Sequence, residues 1–138
     1  YSTTISDTQG KIVGKIKKLE PEINAVTYTD GRGCIQTYYP QTGPIVEYNY
    51  IVTLKNTVRG HHYHKEFDET VMFTTGEGVY LELLEDGSEL PITVTPGTSI
   101  FIPSGVSHTF IPISDCKMVA MLTKRWDECD EPITSEGK

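Results

Sequence analysis

The 138-residue sequence predicts an all-β fold of antiparallel strands, closed into a double-sheet sandwich or small barrel. Three observations carry this: helix-period patterns are nearly absent, short runs rich in β-branched and aromatic residues recur at close spacing, and Gly- or Pro-bearing turns separate them. In chain order, the first run, Lys11–Leu19, carries lysines at 11, 15, 17 and 18 that solvate an edge. Ala25–Thr29 and Cys34–Tyr39 flank a DGRG turn at Asp30–Gly33. Val46–Leu54 and Val58–His64 follow, and the polar KEFD of Lys65–Asp68 turns the chain into Glu69–Thr75. Gly78–Glu85 is an alternating strand expected to send Val79, Leu81 and Leu83 inward and Tyr80 and Glu82 outward. EDG (Glu85–Gly87), TPG (Thr95–Gly97) and PSG (Pro103–Gly105) punctuate Leu90–Thr95, Thr98–Pro103 and Ser107–Ile113, and Lys117–Lys124 is the last strand. One domain is expected: an N-terminal arm and edge strand over 1–24, a barrel over 25–125 and a polar tail over 126–138.

The formal net charge of -7 and a pI near 5.0 argue against nucleic acid or an anionic membrane as a partner, because the average field repels both. Apolar runs such as VAML at Val119–Leu122 fall far short of the roughly 18 residues of a membrane span. No apolar signal core opens the sequence, so a soluble, cytoplasmic protein is expected. Cys34, Cys116 and Cys129 are odd in number, widely spaced and without a C-x-x-C pair. They read as reduced packing thiols, not as a disulfide framework or a cysteine zinc site.

Three of the four histidines fall within four positions, His61, His62 and His64. Period-2 alternation puts His62 and His64 on one strand face and His61 and Tyr63 on the other, so His61 reads as a surface residue. Glu69 shares a face with Val71 and Phe73 and points to the core rim, where an unpaired carboxylate is costly. His108 follows the PSG turn and shares a face with Phe110. Three imidazoles and one carboxylate converging from different strands suit one divalent transition metal, Zn, Fe, Mn or Ni, with positions open for water or substrate.

These residues resemble the two motifs of the cupin superfamily. The first, G-x5-H-x-H-x4-E-x6-G, is matched by His62, His64, Glu69 and Gly76, with Asn56 where the opening glycine stands. The second, G-x5-P-x-G-x2-H-x3-N, is matched by Gly97, Pro103, Gly105 and His108, with Pro112 in place of Asn. The resemblance implies a double-stranded β-helix, the cupin jelly roll. A narrower resemblance covers roughly Asp30 to Pro132: DGRG, a strand containing Asn49, RGHHYHK and TKRWD are similar to cupins acting on 4-keto-6-deoxy nucleotide sugars. These are 3,5-epimerases, 3,4-ketoisomerases and the metal-binding cupin module of capsular sugar-nucleotide enzymes. Arg59, Gly60, His62, Tyr63, His64 and Lys65 stand in matching places. In the metal-free 3,5-epimerases the histidine matching His62 is a general base, the position of His64 is Gln, and an acid tyrosine falls at Met121. One imidazole nitrogen cannot both bind a metal and take a proton, so His64, Glu69 and His108 together argue that His62 is here a ligand.

Three functions fit these residues. The first is epimerisation or ketoisomerisation of a 4-keto-6-deoxy nucleotide sugar in carbohydrate biosynthesis, with the metal easing proton removal next to the ketone. Arg59 would anchor the diphosphate through a bidentate guanidinium fork, with Arg32 and Lys65 as further anchors. The proton-transfer residue stays open: His62 if the site is metal-free, or Tyr38, Glu47 or Tyr50 if they line the cavity. The second is a metal-dependent dioxygenase, which the ligand set suits equally but which leaves RGHHYHK and DGRG unexplained. The third is a non-catalytic sugar-binding or structural cupin in which the metal only staples strands. A homodimer paired through the N-terminal strands is also expected, since about 30 residues precede DGRG.

Overall fold

The structure is a computed structural model and describes residues 14–23 and 29–135. The expected strand positions at 11–13 and 25–28 lie outside the described residues. The strands in chain order begin with β1 (Lys17–Leu19), β2 (Glu22–Ile23), β3 (Thr29–Asp30), β4 (Gly33–Cys34), β5 (Gln36–Thr37), β6 (Glu47–Thr53) and β7 (Arg59–Tyr63). Then come β8 (Glu69–Thr75), β9 (Gly78–Leu83), β10 (Glu89–Val94), β11 (Ser99–Ile102), β12 (His108–Pro112), β13 (Cys116–Leu122) and β14 (Thr134–Ser135). A 3-10 turn covers Trp126–Glu128, and no helix among the described residues is long and apolar enough to cross a membrane.

Among the described residues the strands form two five-stranded antiparallel sheets, one in the order β1-β11-β8-β13-β6 and the other β10-β9-β12-β7-β14, with β2-β5 and β3-β4 as small ladders. From β6 to β13 the chain changes sheet at every connection except the β9–β10 hairpin, which is jelly-roll winding. Alternation then fills the space between the sheets. Val71, Phe73, Ile100, Ile102, Met118 and Ala120 of the first sheet meet Tyr80, Val94 and Phe110 of the second, all buried. Removing this apolar surface from water, at about 25 cal/mol per Å², is what holds the sheets face to face.

The interior face of β9 is the reverse of the expected one: Gly78, Tyr80 and Glu82 are buried, and Val79, Leu81 and Leu83 are half-buried on the other face. The cause is tertiary. A Cβ on Gly78 would come within 2.6 Å of the Phe110 ring, and Tyr80 packs with ring centroids 4.9 Å from Phe110 and 5.8 Å from Phe73. Glu82, 2 % exposed, accepts the backbone N–H groups of Lys15 at 2.8 Å and Ile16 at 3.0 Å. Charge-assisted bonds from two donors offset the desolvation of its carboxylate, a compensation that hydropathy along one strand cannot show.

Residues 126–135, expected as a polar tail, are tied to the barrel. β14 extends the second sheet by pairing Thr134 with Tyr63 and Ser135 with His62. Glu66 accepts from the Glu131 N–H at 2.7 Å and from Lys124 Nζ at 2.9 Å, and Lys65 pairs with Glu131 at 2.8 Å. The three cysteines are free: Cys116 buried, Cys129 half-buried, Cys34 exposed.

Candidate functional site

The sheets part at one end around a cavity of about 800 Å³, whose lining includes His62, His64, Glu69, Tyr80, His108, Phe110 and Trp126. Strand register assembles the histidines: His62 on β7 stands directly opposite His108 on β12, and His64 lies just beyond the end of β7 on the same face. Their ring centroids are 4.4 Å apart for His62–His108, 5.2 Å for His62–His64 and 5.5 Å for His64–His108.

Each ring is oriented by its own backbone. Nδ1 of His62 lies 3.0 Å from the Gly60 carbonyl, that of His64 2.9 Å from Pro132 and that of His108 3.0 Å from Val106. A carbonyl only accepts, so each Nδ1 carries the proton and each Nε2 presents a lone pair. One ligand atom from each of the three lies within 4.8 Å of the others. Ligand nitrogens around a tetrahedral ion at ~2.0–2.1 Å stand roughly 3.3 Å apart, so small side-chain rotations bring the set to bonding distance.

Glu69 opens β8 and places its carboxylate 3.5 Å from His64 Nε2, with 14 % of its side chain exposed. Burial raises its pKa from 4.5 to about 7. Burial lowers His64 as well, against the opposing pull of its Pro132 bond. His108 falls from 6.5 to about 3, chiefly through burial and then through the neighbouring His62. Neutral imidazoles beside a carboxyl group short of a cation fit a divalent transition metal in donor chemistry: His62, His64 and His108 could hold it, and Glu69 is the nearest oxygen donor.

The other candidates scatter. Arg59 starts β7 opposite Phe110, and its side chain lies outside the described residues. Arg32 is exposed in the turn between β3 and β4, and Lys65 is exposed and paired with Glu131; neither lines the cavity. The Tyr38 hydroxyl donates to the Gly97 carbonyl, away from the histidines. Glu47 accepts from Asn49 at 3.0 Å and from the Trp126 N–H at 2.9 Å. It lines a separate groove that shares Ile51 and Trp126 with the cavity. Tyr50 is 63 % exposed on the outer face of β6. Of these three, none lines the cavity. Met121, paired with Tyr48 and Thr70 and alternating with buried Ala120 and Leu122, also lies on the outer face, so its lack of an acidic proton has no bearing on the cavity.

His61 is the exception to simple alternation. Gly60 and His61 together oppose the single Thr109, a β-bulge in β7. His61 is not a free surface residue: its Nε2 lies 2.6 Å from Glu89 and its side chain is 20 % exposed. It stands outside the triad. Sequence reasoning missed Trp126, whose ring lies 6.0 Å from His64, Phe67, stacked on His64 at 4.8 Å, and the Pro132 carbonyl. The lone tryptophan in TKRWD was the available signal.

No family model matches the chain, and no curated protein matches it in sequence. Solved structures do match in fold. The TDP-quinovose 3,4-ketoisomerase of Campylobacter jejuni superposes with a TM-score of 0.73 at 15 % identity, covering 90 % of this chain and 95 % of that one. The dTDP-6-deoxy-D-glucose-3,5-epimerase of Legionella pneumophila gives 0.67 at 21 % identity, covering 91 % and 76 %. A sugar 3,4-ketoisomerase of Thermoanaerobacterium thermosaccharolyticum, solved with TDP, gives 0.64 at 20 % identity, covering 82 % and 83 %. These are proteins of the groups that the sequence motifs resemble, and the chain shares their double-sheet jelly-roll fold.

Proposed function

We propose that this chain is a metal-binding epimerase or ketoisomerase that moves a proton next to the ketone of a 4-keto-6-deoxy nucleotide sugar. The observation that carries the reading is the convergence of three Nε2 lone pairs, with a buried carboxyl 3.5 Å from one of them, in a cavity of about 800 Å³. That volume is within the range of pockets that enclose small molecules. Likeness in fold to proteins named as 3,4-ketoisomerases and 3,5-epimerases supports the substrate class.

A divalent metal held by His62, His64, His108 and Glu69 would supply Lewis-acid polarisation of a carbonyl oxygen. The chain's own residues do the rest. The three Nδ1–carbonyl bonds hold the ring tautomers, so the ligand nitrogens need no change of tautomer, only small rotations toward the ion. Tyr80, Phe110 and Trp126 wall the cavity with apolar surface, which displaces water and strengthens electrostatic interactions inside it. Arg59, on the strand that carries His62, is the proposed diphosphate anchor. Binding energy from that remote end would hold the reacting carbon in place.

The test is NMR in D2O with a thymidine diphosphate-linked 4-keto-6-deoxy sugar. Deuterium should enter next to the ketone, entry should stop when the metal is stripped, and it should return when metal is restored. Incorporation that persists in metal-free protein would return His62 to the role of base. Turnover that requires O2 would instead identify the dioxygenase, and a site that binds sugar without exchange would identify the non-catalytic cupin.

A further inference from the structure

β13 ends at Leu122 in the first sheet, and the next strand, β14, belongs to the second. The chain between them crosses from one sheet to the other along the cavity, and Trp126, Ile133 and Ser135 are among the lining residues. This crossing adds nothing to the core. No residue from Lys124 to Ser135 is buried or belongs to the core cluster, and Trp126, though its ring centroid lies 6.1 Å from that of Phe67, stays 41 % exposed. The fastenings are polar. The Trp126 N–H donates to Glu47 at the rim of the first sheet, and β14 adds two residues of pairing with β7. Between these points Glu66 accepts from the Glu131 N–H at 2.7 Å and from Lys124 Nζ at 2.9 Å, one bond to each carboxylate oxygen. Lys65 pairs with Glu131 at 2.8 Å, both side chains about half exposed.

We infer that residues 125–135 form a strap that opens and closes over the cavity, and that Glu66 is the clasp that holds it shut. Segments with few buried apolar contacts and exposed hydrogen bonds open well below the free energy of global unfolding, and exposed ion pairs do little to prevent it. The opposite walls have no such freedom, because Tyr80, Phe110 and Met118 are built into the core. Closure has a second effect, which rests on the metal site proposed above. Glu131, held by Glu66, precedes Pro132, whose carbonyl accepts from His64 Nδ1 at 2.9 Å. Glu66 is therefore a positioning residue: by seating Glu131 it seats the carbonyl that orients His64. The closed strap completes the orientation of the ligand set, and by linkage a bound ion favours closure by the same factor that closure favours the ion.

Native-state hydrogen exchange of the full chain, resolved by NMR, tests the strap without a ligand. The β14 ladder amides should exchange at least about a hundredfold faster than those of β8 and β13. Glu66→Ala should speed the β14 amides, which Glu66 does not touch, about tenfold further and leave the β8 and β13 amides unchanged. Glu66→Gln keeps an acceptor for the Glu131 N–H but loses the charge that meets Lys124, and should fall between. Added Zn²⁺ should slow the β14 amides of the parent protein, and Glu66→Ala should weaken Zn²⁺ binding about tenfold in calorimetry. Tyr63 and Thr134 stand opposite each other in the β14–β7 ladder, at a separation a disulfide can bridge. In a chain carrying Cys34→Ser and Cys129→Ser, oxidation of Tyr63→Cys with Thr134→Cys should lock the strap and slow removal of Zn²⁺ by EDTA at least about tenfold, and reduction should restore the rate. β14 amides as protected as the core, β14 exchange unchanged by Glu66→Ala, or EDTA extraction equally fast from the locked chain would each overturn the inference. If the parent protein takes up no Zn²⁺, the metal reading falls, and the exchange of the β14 amides alone decides whether the strap opens.

Discussion

Glu69 and His108 show how a metal-type site weighs on its own fold when no cation is bound. Burial holds Glu69 at about 7 instead of 4.5, so the folded chain keeps a proton that the unfolded chain releases. Stability then falls as pH rises through that window, by on the order of 3 kcal/mol at its limit. His108, at about 3 instead of 6.5, acts in the opposite sense: below 6.5 the unfolded chain takes up a proton that the fold refuses, and stability falls as pH drops toward 3. The two slopes oppose each other between about 4.5 and 6.5, so thermal melts in chelator should be nearly level there and fall as pH drops further toward 3. Glu69→Gln should unmask the His108 slope, so that stability rises from about pH 4.5 to 6.5; a profile still level there would show that the carboxyl is not the cause. A second residue-level outcome concerns turns. Asn56 stands where the motif has glycine and adopts φ 71°, a left-handed conformation that asparagine tolerates. At Gly76, with φ 85°, a Cβ would come within 2.2 Å of the Asp115 carbonyl. Asn56→Gly should shift stability by less than about 1 kcal/mol, whereas Gly76→Ala should cost several times more in a denaturant titration.

The element that most shapes the site is the returning C-terminal segment. It supplies the Pro132 carbonyl that orients His64, the β14 pairing that backs His62, and the Trp126 ring at the cavity wall. Removing residues 130–138 should leave the barrel folded, because the buried apolar core lies in β8 through β13 and the N-terminal Ile16. It should also weaken metal binding by about 10–100-fold, the usual cost of losing the partner that orients a ligand imidazole. Titration with Zn²⁺ followed by calorimetry reads this directly, and parental affinity in the truncated chain would show that the Pro132 bond is dispensable. The bulge at Gly60 and His61 is the companion feature, since the extra residue shifts the register on one side of His62 while leaving His62 opposite His108.

At the scale of the whole molecule, the core is apolar and continuous without the histidines. The jelly roll should therefore fold in chelator, unlike a zinc finger. Metal at about 100 times its dissociation constant should add about 2.7 kcal/mol, which for a chain of this length raises the melting temperature by roughly 10 °C. The His64→Ala, His108→Ala double variant should lose that increment and keep its β-type circular dichroism. Full metal occupancy in the double variant would show that the ion sits elsewhere.

Strand runs, turn signals and the shared face of His62 and His64 were legible because each depends on local geometry: period-2 alternation and the backbone angles that Gly, Pro and Asn accept. The positions of Glu69 and His108 followed from the same alternation within their own strands. Other features depended on partners distant in sequence. Glu82 turns inward because Lys15 and Ile16, more than sixty residues earlier, donate to it. Tyr38, Glu47 and Tyr50 miss the cavity because the winding sets them at a loop, a rim and an outer face. The nominal tail becomes part of the site because Glu66 and Lys65 fasten it. The sequence by itself determined the fold class and the residue types of the site, since hydrophobic periodicity and backbone preference act within a few residues. Only the tertiary structure decided which face each polar group takes, because desolvation is tolerated where donors converge, and that convergence exists only once the sheets have packed.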